Sequence, residues 1–283
     1  MKTVIPAAGL GTRLLPATKE QPKEMLPVFA NGDDECLCLK PIVQLVFEQL
    51  FDSGFREFCF VVGRNKRAIE DHFTPDHEYV EQLNNKGKNK QALLLGSFYR
   101  KVEASTIIWI NQPEPLGFGH AVQLTKPFIG AYPLLVYAGD TYIISGDNAH
   151  LKRLIEEHNK TKADATITLQ EVPNPRQYGV AEVVEEADGE LIVKGVEEKP
   201  ERPKTNLAIM PIYIFEPIIF RSLEAIQPGK GGEFQLTDGI QKLIEWGLKV
   251  NAIKLKEDEI RLDIGTPETY WEALSLSYNY CKK

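Results

Sequence analysis

The residues best placed by type and spacing to do chemistry stand near the start of the chain. Ala7, Ala8, Gly9, Leu10, Gly11, Thr12 and Arg13 directly follow an apolar run at 3–6. Glycines just after a buried strand let backbone N–H groups approach a phosphate closely. A glycine pair alone also describes a plain tight turn, so its neighbours decide between the two. A dinucleotide fingerprint needs a third glycine opening a helix. Leu14 holds that place, and Pro16, Pro22 and Pro27 exclude one uninterrupted helix over the stretch. The G-x-x-x-x-G-K-[ST] spacing of a P-loop is absent from the sequence. What remains is a long, proline-stiffened loop carrying Arg13, Lys19 and Lys23, cations suited to a triphosphate.

Such a loop needs a frame. Short apolar runs alternate with amphipathic stretches, which predicts an α/β fold: a Rossmann-like, mixed and mainly parallel sheet flanked by helices, with a small β-hairpin subregion. Strands are predicted at 3–6, 57–62, 106–110, 134–138 and 165–171. Helices are predicted over 41–53, with Pro41 in the first turn and Gly54 as the stop, around 67–73, over 79–99 with a break near Gly87, and over 148–160. Further on, runs at 178–184 and 191–197 flank Asp188–Gly189, a hairpin signal. A strand at 207–215 is interrupted by Pro211. Helices near 217–226 and 236–245, a strand at 249–255 and a helix over 267–280 complete the chain. With no internal repeat, low-complexity tract or clear linker, residues 1–283 read as a single domain.

Composition narrows the partners. Of 283 residues, 43% are hydrophobic and 26% charged, ordinary for a globular chain able to bury a core. A net charge of -7 argues against binding a nucleic-acid backbone, which rests on clustered Lys and Arg, but leaves room for a small anion in a local positive pocket. Cys36, Cys38, Cys59 and Cys281 lack the spacing of a metal or redox motif. There is no leader-like start and no apolar run near the roughly 18 residues of a membrane span, so no membrane partner is expected and the cytoplasm is the expected compartment.

Several segments together carry a resemblance. Gly9-Leu10-Gly11-Thr12-Arg13, Leu15-Pro16, Thr18-Lys19 and the run Pro22-Lys23-Glu24-Met25-Leu26-Pro27 closely resemble the signature of the prokaryotic UTP–glucose-1-phosphate uridylyltransferases, the UDP-glucose pyrophosphorylase branch of the sugar-nucleotidyltransferase superfamily. Gln112 with Leu116-Gly117-Phe118-Gly119-His120-Ala121 resembles that family's base-recognition segment, and Ala138-Gly139-Asp140 its metal aspartate. Tyr178-Gly179-Val180, the run 196–200 and Asn206-Leu207-Ala208 resemble its sugar and phosphate segments. The runs 232–238 and 263–266 complete the pattern. The resemblance implies the nucleotide-diphospho-sugar transferase type of fold, a nucleotide-binding half to about Asp140 and a sugar-binding half with the C-terminal helix after it. It also implies Mg²⁺ as cofactor, UTP and glucose 1-phosphate as small-molecule substrates, and a homo-oligomer, dimer or tetramer.

The reaction so implied is in-line attack by the sugar-phosphate oxygen on the α-phosphorus of UTP, releasing pyrophosphate. Charge is the obstacle: two unit charges about 4 Å apart repel by ~4 kcal/mol at an effective dielectric of ~20. Catalysis of this kind is positioning and neutralisation, without a covalent enzyme intermediate. Arg13 and Lys23 are the candidates for the triphosphate, the Arg13 fork suiting the departing pyrophosphate. Lys199 is the candidate for the sugar phosphate, and Asp140 and Asp263 for the metal. Ala8, Gly9, Gly11, Thr12, Gln112 and Gly117 are the nucleotide candidates, with the donor and acceptor of Gln112 facing the edge of uracil. Gly179, Glu198 and Asn206 are the candidates for the glucose hydroxyls. A phosphate nucleophile needs no general base, so His120 is expected to be a packing residue at a helix start. The stretch 31–39 lengthens the family's usual connection and is expected to be an acidic surface loop. Two other readings stay open: the same fold using dTTP or another nucleotide or sugar, and a non-catalytic sugar-nucleotide-binding subunit.

Overall fold

Runs of β-branched and aromatic residues, alternating with helices that have one apolar face, build a layered sheet. The structure, a computed structural model, describes residues 1–32, 36–187 and 189–282. Nine strands form one sheet in the order β5 (Thr106–Gln112), β4 (Glu57–Gly63), β1 (Lys2–Ala7), β6 (Leu134–Tyr137), β11 (Leu207–Phe215), β8 (Ala165–Glu171), β12 (Val250–Lys254), β10 (Leu191–Glu198) and β9 (Gly179–Glu185). By their pairings β5, β4, β1, β6, β8, β12 and β9 share one direction, and β11 and β10 run against it. β9 also pairs with β11 through Ala208 and Val180, so the strands from β11 to β9 curl back on themselves. At Pro211 the register of β11 against β8 shifts, and the Pro211 carbonyl accepts from Ala138 N–H instead.

Strand alternation sends neighbouring side chains to opposite faces. Val4, Cys59, Val61, Leu134 and Val136 bury on one face under α5 (Phe118–Gln123), α6 (Lys126–Ile129), α8 (Ile218–Ala225) and α9 (Leu236–Glu245). Ile5, Phe58, Phe60, Val62 and Tyr137 bury on the other, against α1 (Ile42–Asp52), α2 (Arg67–His72), α4 (Asn89–Glu103) and α7 (Ala149–Thr161). The predicted helix over 79–99 is two: α3 (His77–Asn85) and α4 meet at Gly87, whose φ of 70° ends the first.

A third cluster matters most for the site. β2 (Pro27–Asn31) pairs with β3 (Leu37–Pro41), and β7 (Thr141–Ile144) with β13 (Ile260–Asp263), both antiparallel. Leu14 and Leu26 of the glycine loop, Val28, Ile144 and Leu262 of these strands, Ile264 just after β13, Ile42 of α1 and Ala273 of α10 (Pro267–Cys281) bury together. Fully burying each such side chain contributes roughly 1.5–3 kcal/mol. Leu14 and Leu26 thereby anchor the glycine loop, and Leu262 and Ile264 anchor the residue between them, Asp263.

One expectation changes. The stretch 31–39 is not simply a loop, because its flanks are the paired strands β2 and β3. The period was hidden because Leu37 and Leu39 are exposed, 44% and 57%, while Cys38 packs inward. Residues 33–35 and Asp188 of the turn signal lie outside the described residues; the antiparallel β9–β10 pair that flanks the latter is present.

Candidate active site

The proline-stiffened loop folds as two short 3₁₀ turns, Thr12–Leu14 and Lys23–Met25. Thr18 donates its hydroxyl to the Gly11 carbonyl at 2.8 Å, closing the loop over the turn that begins beyond buried Ala8. The Lys23 side chain passes beside Gly9, where an added methyl would lie 3.5 Å from its Cε. Its ammonium donates to Asp140 Oδ2. Lys19 instead pairs with Glu20 at the surface, 3.1 Å away.

Asp140 lies just beyond β6 and Asp263 ends β13. Asp263 stands opposite Thr141 in register, and Ile264 N–H donates to the Asp140 carbonyl at 3.1 Å. The Thr141 hydroxyl lies 3.5 Å from Asp140 Oδ1 and 3.4 Å from Asp263 Oδ1, so the two carboxylates share one small space. Arg13 reaches the same place: a methyl on Gly265 would sit 2.8 Å from Asp263 Oδ2 and 3.3 Å from an Arg13 guanidinium nitrogen. Arg13, Lys23 and both aspartates, 250 residues apart at their extremes (Arg13 to Asp263), thus converge.

Their electrostatics follow from this contact. Burial opposes the charge on Lys23, yet the carboxylates of Asp140, Glu24 and Asp263 outweigh it and raise its pKa. Burial also opposes ionisation of Asp140, but Lys23 holds its pKa below the usual value. Asp263 is raised, by burial and then by the neighbouring Asp140 charge. Two carboxylates held this close, with one pushed up by the other, are a donor set of hard oxygens that suits a divalent cation. Among the described residues no third His, Cys, Asp or Glu joins them. That fits Mg²⁺, which fills its octahedron with phosphate oxygens and water rather than with an all-protein cage.

Behind this point lies a feature not foreseen. Glu24, 1% exposed, accepts from Lys66, 6% exposed, at 2.7 Å. Burial raises the Glu24 pKa, against the pull of Lys66 and Lys23. Glu24 belongs to the conspicuous run 22–27, but nothing in the sequence around Lys66 marks its partner.

The sugar-side candidates gather at the joint of β9 and β10, where Gly179 and Glu198 are register partners. Glu198 Oε2 accepts from the Thr237 hydroxyl at 2.7 Å, and Oε1 pairs with Lys199 at 2.9 Å. A side chain at Gly179 would come within 2.9 Å of Thr237 Oγ1 and 3.0 Å of Glu198 Oε2, so only glycine leaves this corner open. Lys199 adopts a left-handed φ of 45°, fixed by its N–H on the Tyr178 carbonyl at 3.0 Å, and Lys230 donates to its carbonyl. A non-glycine residue in that region is uncommon and clusters at functional sites. Asn206 stands apart from this corner. It is exposed just before β11, its carbonyl accepting from Val172 N–H at 3.0 Å.

At the base end, Gln112 closes β5 and is 5% exposed. Its amide nitrogen donates to the Gly117 carbonyl at 3.1 Å and contacts His120 Nδ1 at 3.0 Å. The expectation that His120 only packs is therefore corrected, and its ring is a polar partner of Gln112. The Gln112 amide nitrogen thus faces the Gly117 carbonyl and the His120 ring within the protein. Gly117, at φ 107°, presses on the segment from the other half of the chain, where a methyl would meet the Phe234 carbonyl at 2.7 Å.

The sequence model of the nucleotidyl transferase family matches residues 2–279. The UTP–glucose-1-phosphate uridylyltransferase of Bacillus subtilis (strain 168) is 41% identical over 248 residues, covering 86% of this chain and 80% of the relative. The enzyme of the same name from Pseudomonas aeruginosa (strain PAO1) is 37% identical over 283 residues, covering 98% and 95%. A crystal structure of UDP-glucose pyrophosphorylase complexed with UDP-glucose superposes with a TM-score of 0.83 at 32% identity, covering 99% of this chain and 98% of the other. An apo structure of UDP-glucose pyrophosphorylase reaches 0.87 at 31%, covering 99% of each chain. The chain belongs to the nucleotidyl transferase family and, within it, to the UTP–glucose-1-phosphate uridylyltransferases.

Proposed function

We propose that this protein transfers UMP from UTP to glucose 1-phosphate, giving UDP-glucose and pyrophosphate. The observation that carries the proposal is the convergence of Arg13 and Lys23 with Asp140 and Asp263 at one small space. In the reaction an oxygen of the sugar phosphate bonds to the α-phosphorus, the bond from that phosphorus to the bridging oxygen breaks, and pyrophosphate leaves with the electron pair. Arg13 and the turn at Gly11 and Thr12 hold the β- and γ-phosphates, while the Ala8–Gly9 backbone closes on the base. Lys23 faces the α-phosphate from beside Gly9, and Lys199 brings its charge to the incoming sugar phosphate once it exchanges Glu198 for that ligand. Glu198, freed on that side and fixed by Thr237 on the other, orients glucose hydroxyls with the Gly179 backbone; Asn206, exposed just before β11, is the remaining sugar candidate, reached only by a bound glucose that extends beyond this corner. Gln112 and Gly117 read the base. Asp140 and Asp263 would hold Mg²⁺, which supplies positive charge against the phosphate oxygens when bound.

The two halves of the chain divide the work, with residues 1–140 taking the nucleotide and 141–283 the sugar. Asp263 returns from the second half to the first. A homo-oligomer is proposed on kinship, and exposed Trp271, Leu37 and Leu39 are surface features in keeping with it. No helix among the described residues is long and apolar enough to cross a membrane; a cytoplasmic location is proposed on kinship.

Pyrophosphate release with glucose 1-phosphate and each of five nucleoside triphosphates tests the proposal. UTP should support turnover well above dTTP, CTP, ATP and GTP. Equal or better turnover with dTTP would assign the chain to another nucleotide, and none with any would leave a binding subunit.

A further inference from the structure

The base end holds a polar contact that the reaction does not itself require. Gln112 is nearly buried, and its amide nitrogen has two partners, the Gly117 carbonyl at 3.1 Å and His120 Nδ1 at 3.0 Å. A carbonyl oxygen can only accept, so the group facing Gly117 must be the NH₂, which fixes the orientation of the amide. With its second hydrogen directed at His120, the Nδ1 there must also be the acceptor, and the ring carries its proton on Nε2. Both donors of Gln112 are then engaged inside the protein. The side chain has only Oε1 to offer a ligand.

We propose that His120 is a positioning residue for base selection, holding the Gln112 amide so that it presents an acceptor and no donor to the pyrimidine. The inference rests on the reading that Gln112 faces the base. Uracil carries hydrogen on N3 and can donate to Oε1. Cytosine carries a lone pair on N3, so the two acceptors would face each other. Turning the amide to satisfy cytosine would bring Oε1 against the Gly117 carbonyl and His120 Nδ1, losing two hydrogen bonds and opposing like partial charges. His120 is itself held in place. α5 is clamped by Gly119 N–H on the Phe234 carbonyl at 2.8 Å, and the Phe234 ring lies 6.4 Å from the imidazole. Selectivity against cytosine is thus built two layers deep, with Gln112 against the base and His120 against Gln112.

The test compares kcat/KM for UTP and for CTP in wild type, Gln112→Ala, His120→Phe, His120→Asn and the double variant Gln112→Ala/His120→Phe. Asn places Oδ1 where Nδ1 stood and keeps the acceptor; Phe keeps the ring and removes it. Gln112→Ala and His120→Phe should each lower the UTP-to-CTP ratio by about tenfold or more. His120→Asn should hold it near wild type. The double variant should match Gln112→Ala alone, because His120 acts through Gln112. The KM for glucose 1-phosphate should not move. If Gln112→Ala lowers the ratio but His120→Phe leaves it intact, or His120→Asn loses it as fully as Phe, the inference on His120 is overturned. If Gln112→Ala itself leaves the ratio intact, the reading of Gln112 at the base has failed instead. Should His120→Phe not fold, ¹⁵N resonances of His120 in the unsubstituted protein decide. In the neutral ring an Nε2–H tautomer is expected, and an Nδ1–H tautomer would contradict the proposal.

Discussion

Asp140 and Asp263 show how little of a side chain's role is local. Each ends an apolar run in the sequence, where an aspartate is commonly only a turn residue. Their opposite pKa directions share one arrangement: Lys23 lowers Asp140 against its burial, while burial and then the Asp140 charge raise Asp263. If both hold one Mg²⁺ against the phosphates, Asp140→Asn and Asp263→Asn should each reduce kcat by roughly 10²-fold, comparable with losing one electrostatic stabiliser. Both act through the same ion, so the double variant should lose far less than the product of the two. Steady-state rates over a Mg²⁺ titration measure this. Near wild-type kcat in either single variant, at limiting Mg²⁺, would remove that aspartate from the metal.

At the scale of elements, the strand–helix alternation was legible because burial on two faces imposes it. β8, β11 and α9 fall where the apolar periods put them. The turn of Gly9 and Gly11 was legible for a similar reason, Gly11 opening left-handed backbone and the prolines fixing φ whatever surrounds them. The β2–β3 and β7–β13 pairs were not. Four- and five-residue strands carry too little period, and β7 finds its partner more than a hundred residues away. Without β13 nothing in the sequence joins Asp263 to Asp140, because what joins them is the register of Asp263 with Thr141. The contact of His120 with Gln112, and that of Thr237 with Glu198, likewise depend on how α5 and α9 pack. The segment before α9 joins these ends: Phe234 backbone groups bond to Leu116 and Gly119, while Thr237 bonds to Glu198. Gly117→Ala would drive a methyl into the Phe234 carbonyl at a φ of 107°, strained for any side chain. Both substrates should suffer, with KM rising several-fold for UTP and for glucose 1-phosphate in initial-rate measurements. A rise for UTP alone would mean that the segment does not link the two ends.

On the scale of the whole molecule, the buried histidines set an acid limit. Burial pushes His72 and His150 down to about 4; His72 stacks on Phe98, and His150 meets Ser145 at 2.6 Å. His158 is lowered as well, chiefly by burial. Between about pH 6.5 and pH 4 the unfolded chain binds protons at these rings that the folded chain refuses, so stability is complete above that window and falls with acidification. At about 1.4 kcal/mol per pH unit, His72 and His150 should each cost roughly 2 kcal/mol by pH 5. Denaturant unfolding at pH 7 and pH 5 should show that loss, and an unchanged midpoint would contradict the burial. The account as a whole depends on where UTP is broken. With UTP labelled at the α-phosphorus and, separately, at the γ-phosphorus, incubation with glucose 1-phosphate should carry the α label into UDP-glucose and the γ label into pyrophosphate, each in full. An α label left in UMP or UDP, or a γ label found in orthophosphate or on the sugar, would contradict in-line transfer at the α-phosphorus by the Arg13, Lys23, Asp140 and Asp263 cluster.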